Sequence, residues 1–417
     1  MKEFTAWEYL CIDVANNHHS GLDKVTFEER IDWVQNNLNT LEEETKDRIW
    51  KERPLYIKAV SALRKAQRGE PTGHLVGFDA VCSGMQIMSV LSGCYNGSKA
   101  TGLVDQNRRA DAYTDCTNIM SNILGNNVSG ERKKVKQSVM TSLYGSVAEP
   151  KKVFGEDTPE LQAFYESMWE LCPGACTLLE WFKQSWNPGA LAHEWKLPDG
   201  FDAKIKVMEQ VESRIEVDEL GGTSFTYVYY DNVGKEKDVK NAANVVHSID
   251  AYVLRALVRR CNYEALVFEE AWNALTAELV ERTLNNKPIS IAPLSEKAQY
   301  YFNQYERSTV IDPVIVPHLT YEDLESLPTA YLRGLLGIIN SMLQHPPFDV
   351  VTIHDDFKCH PNYMTALRTH YKNILAGIAD SDLISDILSQ LYHRPVQFQK
   401  LNSNLSQYIN QSNYALC

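Results

Sequence analysis

Two short apolar runs, each closing on aspartate, stand far apart in a chain whose remaining pattern is mostly helical. The first is Leu75-Val76-Gly77-Phe78-Asp79; the second is Val350-Val351-Thr352-Ile353, running into His354-Asp355-Asp356. Both read as strands. If they are neighbours in one small sheet, the aspartates at their ends meet. That requirement shapes the rest of the reading, because helices must carry the chain from one strand to the other.

The helical signals are these. Residues 27–50 carry Ile31, Val34, Leu38 and Leu41 among charges, which predicts one amphipathic helix. Ser83-Gly84-Met85-Gln86 predicts a capping box opening a helix after the first strand. Residues 110–125 read as helix, closed by Gly125. A further helix is expected from Ser129, as N-cap, to Tyr144, with Gly145 as its stop. Residues 212–232 read as a β-hairpin turning at Gly221-Gly222. A long helix is expected from His247 to about Glu281, then a polar, Pro-containing stretch through Pro317, then helix over Tyr321–Leu343. Helix is also expected over most of the last 50 residues.

Composition bounds the function without deciding it. The chain has 417 residues, 44% hydrophobic and 23% charged, enough for several packed subdomains. Its net charge of −13 argues against nonspecific phosphate binding over the whole surface. A nucleic-acid enzyme needs only local positive charge. The nine cysteines are scattered, with Cys172 and Cys176 the one close pair, as expected in a reducing cytosol. No apolar stretch approaches the roughly 20 residues of a membrane helix, so no membrane partner is expected.

Three features could work together. Asp79 and Asp355 offer hard oxygen ligands of the kind two magnesium ions need. Between them in sequence, Arg132, Lys136 and Met140 recur at intervals of four and so share a helix face. Two cations near a helix N-terminal end suit a triphosphate. Tyr144 lies two turns beyond Lys136, within reach of the same nucleotide.

The motifs that hold these residues resemble one family, the single-subunit DNA-directed RNA polymerases of phage and mitochondrial type. Phe78-Asp79-Ala80-Val81-Cys82-Ser83-Gly84-Met85-Gln86 is similar to the family's first palm motif. Arg132 to Gly145, reading RKKVKQSVMTSLYG, resembles its fingers helix, and His354-Asp355-Asp356-Phe357 its second palm motif. Smaller matches are Gly21 to Val25, Pro198 to Phe201, Val246 to Asp250 and Ser412 to Ala415. The resemblance implies an α+β right-hand polymerase, with a small antiparallel palm sheet and mostly helical fingers. Residues 1–110 would be palm with connecting helices. Residues 111–245 would be fingers, including the hairpin, which takes the place of the promoter-reading loop. Residues 246–417 would be palm with an insertion at about 262–345.

The site residues follow the same resemblance. Asp79 and Asp355, with the Ala80 carbonyl, would hold two magnesium ions. Arg132, Lys136 and Lys24 would bind the triphosphate, Lys136 also protonating the leaving pyrophosphate. Tyr144 and His247 would select ribose. The implied reaction joins ribonucleoside triphosphates to an RNA 3′ end on a DNA template. Its setting would be the cytoplasm of an infected bacterial cell.

Several departures carry expectations of their own. Only 78 residues precede Asp79, where the family has a thumb and an N-terminal domain. A second polymerase subunit supplying them is expected, as in the large subunit of a heterodimeric phage RNA polymerase; a truncated chain is the competing explanation. Glu216, Asp218 and Glu219 on the hairpin would repel phosphate, so promoter opening is expected to fall to an accessory factor. Asp356 replaces a serine and is expected to point away from the metals. The alternatives are a related-family DNA polymerase and a non-catalytic polymerase-like scaffold. Against the first stand the small Ser83 and Gly84, where a Glu would exclude ribose, and Met140.

Overall fold

The computed structural model describes residues 1–45, 49–207, 209–231 and 238–417. The chain opens with α1 (Ala6–Asn16) and α2 (Phe27–Asn36), each started by a capping box, Thr5 with Glu8 and Thr26 with Glu29. Then come α3 (Arg53–Gln67), β1 (Val76–Asp79), α4 (Ser83–Ser92) and α5 (Tyr95–Ala100). Five more helices follow: α6 (Ala112–Leu124), α7 (Arg132–Ser142), α8 (Ala148–Phe154), α9 (Pro159–Leu171) and α10 (Pro173–Gln184). Two hairpins come next, β2 (Ala192–Lys196) with β3 (Asp202–Lys206), and β4 (Glu209–Val217) with β5 (Thr223–Asp231).

The second half runs through α11 (Lys240–Cys261), α12 (Ala265–Leu284), α13 (Glu296–Ser308), α14 (Tyr321–Ser326) and α15 (Thr329–Met342). It returns to the first strand with β6 (Val351–Ile353) and β7 (Asp356–Cys359), and closes with α16 (Met364–Asp380), α17 (Leu383–Tyr392) and α18 (Leu405–Gln411). The class is α+β, with small antiparallel sheets among many helices.

The sheet that matters for function has the order β1-β7-β6, antiparallel throughout. Its register follows from the alternation of side chains. Val76 faces Cys359 and Phe78 faces Phe357, and all four are buried. Burying a phenylalanine contributes about 1.5–3 kcal/mol, so slipping by one residue would be strongly disfavoured. The same register puts Gly77 opposite Lys358 and Asp79 opposite Asp356 on the outer face. Helix α4 follows β1 and packs among α10, α11 and α16, apolar or small around almost its whole circumference and buried from Gly84 to Ser92. A helix of that kind belongs in the centre of a core.

Two hydrophobic cores result. The larger takes in residues from both chain ends and from α4, α11 and α16. The second is built within α12–α15, around Leu275, Tyr331, Leu335 and Ile339. This second core falls inside the stretch that sequence reading set apart as an insertion. It is bolted to α11 through Asp312, whose carboxylate accepts from Arg259 (2.8 and 3.1 Å) and from the Tyr252 hydroxyl (2.9 Å).

Some boundaries differ from the sequence reading. The helix expected over 27–50 stops at Asn36, where the Asn37 side chain donates to the Trp33 carbonyl at 2.7 Å. Leu41 is fully buried, but from a turn, so its periodicity reported burial and not helix. Residues 46–48 lie outside the described residues, as does position 232 at the end of the hairpin. Ser83 is the first residue of α4 and not its cap. Gln86 makes no capping box; its amide donates to the carbonyls of Thr101 and Ala415 (both 2.9 Å). Ser129 opens a 3-10 turn, and α7 begins at Arg132. The long helix expected to Glu281 breaks between Cys261 and Ala265, and the polar stretch before Pro317 contains α13. Pro328 divides α14 from α15.

Candidate active site

The two aspartate-bearing segments meet. Strands β6 and β7 are joined by the turn His354-Asp355, in which His354 takes a left-handed φ of 56°. Strand β1 lies along β7, and the Ala80 N–H donates to the Asp355 carbonyl at 3.1 Å. From the C-terminal segment, the Cys417 N–H donates to the Asp79 carbonyl at 3.0 Å, and Ala80 bridges Leu416.

Directly opposed residues of an antiparallel pair project on one face. Asp356 is therefore on the same face as Asp79, which corrects the expectation that it points away. It is held there by Lys358 (2.9 Å). Gly77 makes the room: a Cβ at that position would lie 2.8 Å from Asp356 Oδ1 and 3.2 Å from Lys358 Cγ.

Crowded acids set the electrostatics. Burial, then the charges of Asp356 and Asp355, push the Asp79 carboxyl up to about 6. Burial likewise raises Asp355, against the pull of Lys136. A divalent cation would relieve both effects, and the donors are the hard oxygens magnesium prefers, so the residues present fit such an ion. The three aspartates do not, however, converge as a closed trio. Among the described residues, the three-residue group with ligand atoms within 4.8 Å of one another is His18, His19 and Glu44.

Helix α7 brings the cations. It buries Val135, Ser138, Val139 and Ser142, which leaves Arg132 and Lys136 on its open side. Both are organised by the start of α6. Arg132 donates to Asp111 (2.6 and 3.1 Å) and Thr114 (2.9 Å). Lys136 Nζ lies 5.1 Å from the Tyr113 ring centre and the Arg132 guanidinium 5.6 Å from it. Asp111 also caps α6, accepting from the backbone of Tyr113 and Thr114.

A cavity of about 740 Å³ gathers Lys24, Asp79, Ala80, Arg132 and Lys136. Asp356, Lys358, Arg109, Asp111 and Tyr113 line it as well, and none of these was singled out as a site residue from sequence. An Asp-x-Tyr-Thr run just ahead of the α7 cations was the available signal for two of them. Lys24 is half exposed and paired with Asp23 at 2.6 Å.

Asp355, Tyr144 and His247 are not among the cavity's lining residues. Tyr144 and His247 are nevertheless together, their rings 4.6 Å apart. Tyr144 lies over the first turn of α4, where a Cβ on Gly84 would come within 3.1 Å of its hydroxyl. Burial and the charge of Asp250 push that hydroxyl up to about 12, so it remains an O–H donor at neutral pH. His247 is exposed.

Comparison with known proteins agrees with these motifs. Residues 3–152 match the family described as DNA-dependent RNA polymerase, a span holding Lys24, Asp79, Arg132, Lys136 and Tyr144 but neither His247 nor Asp355. The chain is also similar to DNA-directed RNA polymerase 2, chloroplastic/mitochondrial, of Arabidopsis thaliana. The two are 21% identical over 312 residues, covering 62% of this chain and 31% of that protein. The chain thus spans about a third of the length of the curated relative it matches. No helix among the described residues is long and apolar enough to cross a membrane. Residues 3–152 carry the sequence pattern of the DNA-dependent RNA polymerase family.

Proposed function

We propose that this chain is the catalytic part of a DNA-directed RNA polymerase, joining ribonucleoside triphosphates to an RNA 3′ end on a DNA template. One observation carries the reading. Strands far apart in sequence bring Asp79 and Asp355 to the end of one small sheet, beside a cavity that Arg132 and Lys136 also line.

Asp79, Asp355 and the Ala80 carbonyl would hold two magnesium ions, which supply acidification of the 3′-hydroxyl and neutralisation of triphosphate charge. The chain's own residues do the rest. Lys24, Arg132 and Lys136 bind and orient the triphosphate, which must displace Arg132 from Asp111. Lys136 is placed to give a proton to the leaving pyrophosphate. Tyr144 and His247 select ribose, Tyr144 resting on Gly84, where a larger side chain would move it. The naming of 1–110 and 246–417 as palm and 111–245 as fingers belongs to the same proposal.

A second polypeptide completes the enzyme in this reading. Its support is exposed apolar surface: Val351 and Ile353 on the free edge strand β6 are 43% and 53% exposed, and Phe225, Tyr227 and Tyr230 stand out on β5. Extension of a primer annealed to single-stranded DNA tests both parts. Ribonucleotides should be incorporated well above deoxyribonucleotides, in short products from this chain alone. Efficient DNA synthesis would identify a DNA polymerase instead, and long products from the single chain would remove the second polypeptide.

A further inference from the structure

A second cavity, of about 410 Å³, lies between α11, α15 and α16, away from the sheet that bears the aspartates. At its wall is Arg260, in the last turn of α11 and only 5% exposed. Its Nε is buried with no hydrogen-bond partner, and among the described residues it forms no ion pair. Its neighbour Arg259 is different, being tied to both Asp199 and Asp312. Asp312 attracts Arg260 across space, yet its oxygens are taken by Arg259 and Tyr252. Asp380 lines the same cavity without pairing with the guanidinium.

A buried guanidinium nitrogen without a partner is unfavourable, since its lost hydration must be replaced by a counter-charge or by hydrogen bonds. His370, in the same wall, does not supply one. Burial, Arg260 and His345 push it down to about 3, so it is neutral at pH 7. The cavity thus holds one buried guanidinium nitrogen without a hydrogen-bond partner, beside a neutral histidine.

A second observation, independent of charge, concerns the helices that face it. Gly334 and Gly337 on α15 and Gly377 on α16 all line the cavity. Glycine inside a helix is disfavoured by roughly 0.5–1 kcal/mol relative to alanine. At Gly334 packing explains the choice, because a Cβ would lie 2.2 Å from the Ile311 side chain. At Gly337 and Gly377 a Cβ would meet nothing within 4 Å. Among the described residues no neighbour demands their smallness, and both glycines are exposed and line the cavity.

We propose that this cavity binds a small molecule bearing an oxyanion, a phosphate or a carboxylate on a compact body, with Arg260 as its counter-ion. The guanidinium fork suits either group, and Asn373 and Ser341 add polar contacts to the rest of the molecule. Gly337 and Gly377 keep the walls flat for its body. The volume is in the range of small-ligand pockets. The site joins the helical insertion to the main core, so occupancy would tighten that junction. The proposal does not depend on the polymerase reading.

Thermal unfolding of the full chain tests it, with inorganic phosphate, adenosine monophosphate and succinate as probes, each at millimolar concentration. At least one should raise the midpoint by a few degrees. A response to phosphate and the monophosphate would identify a phosphate-bearing ligand, and a response to succinate a carboxylate. Arg260→Met should lose the response while melting no lower than the wild-type chain without probe. Gly377→Leu, which fills the volume without touching the guanidinium, should also lose it. No response to any probe, or an equal response in Gly377→Leu, would overturn the proposal. If Arg260→Met fails to fold, the Gly377→Leu result decides.

Discussion

At the scale of single residues, the acidic face is arranged by a glycine. Gly77 leaves space for Asp356 and Lys358, and Asp356 in turn presses on Asp79. Gly77→Ala should therefore push Asp356 and Lys358 toward the cavity. The expected result is a loss of nucleotide incorporation of roughly tenfold or more, since displacements near 1 Å at a reacting site are that damaging. The thermal midpoint should stay within a few degrees of the parent. Unchanged incorporation by Gly77→Ala in a steady-state assay would show that the acidic face does not depend on this packing. The meeting of Asp79 and Lys136 in one cavity was legible in the sequence because their motifs are local. The direction of Asp356 was not, because it depends on the register of β7 against β1, a strand about two thirds of the chain away. Arg109 and Asp111 were hidden for a related reason: a cation and a cap residue are ordinary until the fold turns them toward one cavity.

At the scale of elements, the short strands and the hairpin turn were readable, and long helices were overextended. Periodicity could not tell Leu41 in a buried turn from a residue on a helix face. The α12–α15 region was expected as an insertion but not as a body with its own core, since its apolar residues close on one another across long spacings. Its contact with α17 gives a test by pH. Asp386 is buried there, 3.7 Å from Arg307 and accepting from Gln390 at 3.0 Å. Burial outweighs the attraction of Arg307 and raises its carboxyl from 3.8 to about 6. The folded state thus holds this proton more tightly than the unfolded chain does. The associated stability is full below about pH 4, falls as pH rises toward 6, and is lost above it, about 2–3 kcal/mol in all. Asp386→Asn should remove that dependence and be the more stable protein at pH 7. Chemical denaturation of both proteins at pH 4, 5, 6 and 7 checks this through their difference; a constant difference would refute it.

At the scale of the whole molecule, a chain of net charge −13 concentrates cations where a triphosphate would enter. Lys24, Arg109, Arg132, Lys136 and Lys358 all line one cavity, so global and local charge point in opposite directions. The two aspartates that first constrained the fold meet at the end of its sheet, and α7, between them in sequence, carries Arg132 and Lys136. The claim at the centre is that Asp79 and Asp355 carry the chemistry. Its most direct test is ribonucleotide incorporation on a primed DNA template by Asp79→Asn and Asp355→Asn, beside the parent, with magnesium present and folding verified by thermal unfolding. Both variants should fold and lose incorporation by a factor of about 10³ or more. Incorporation at the parent rate by either folded variant would contradict the account.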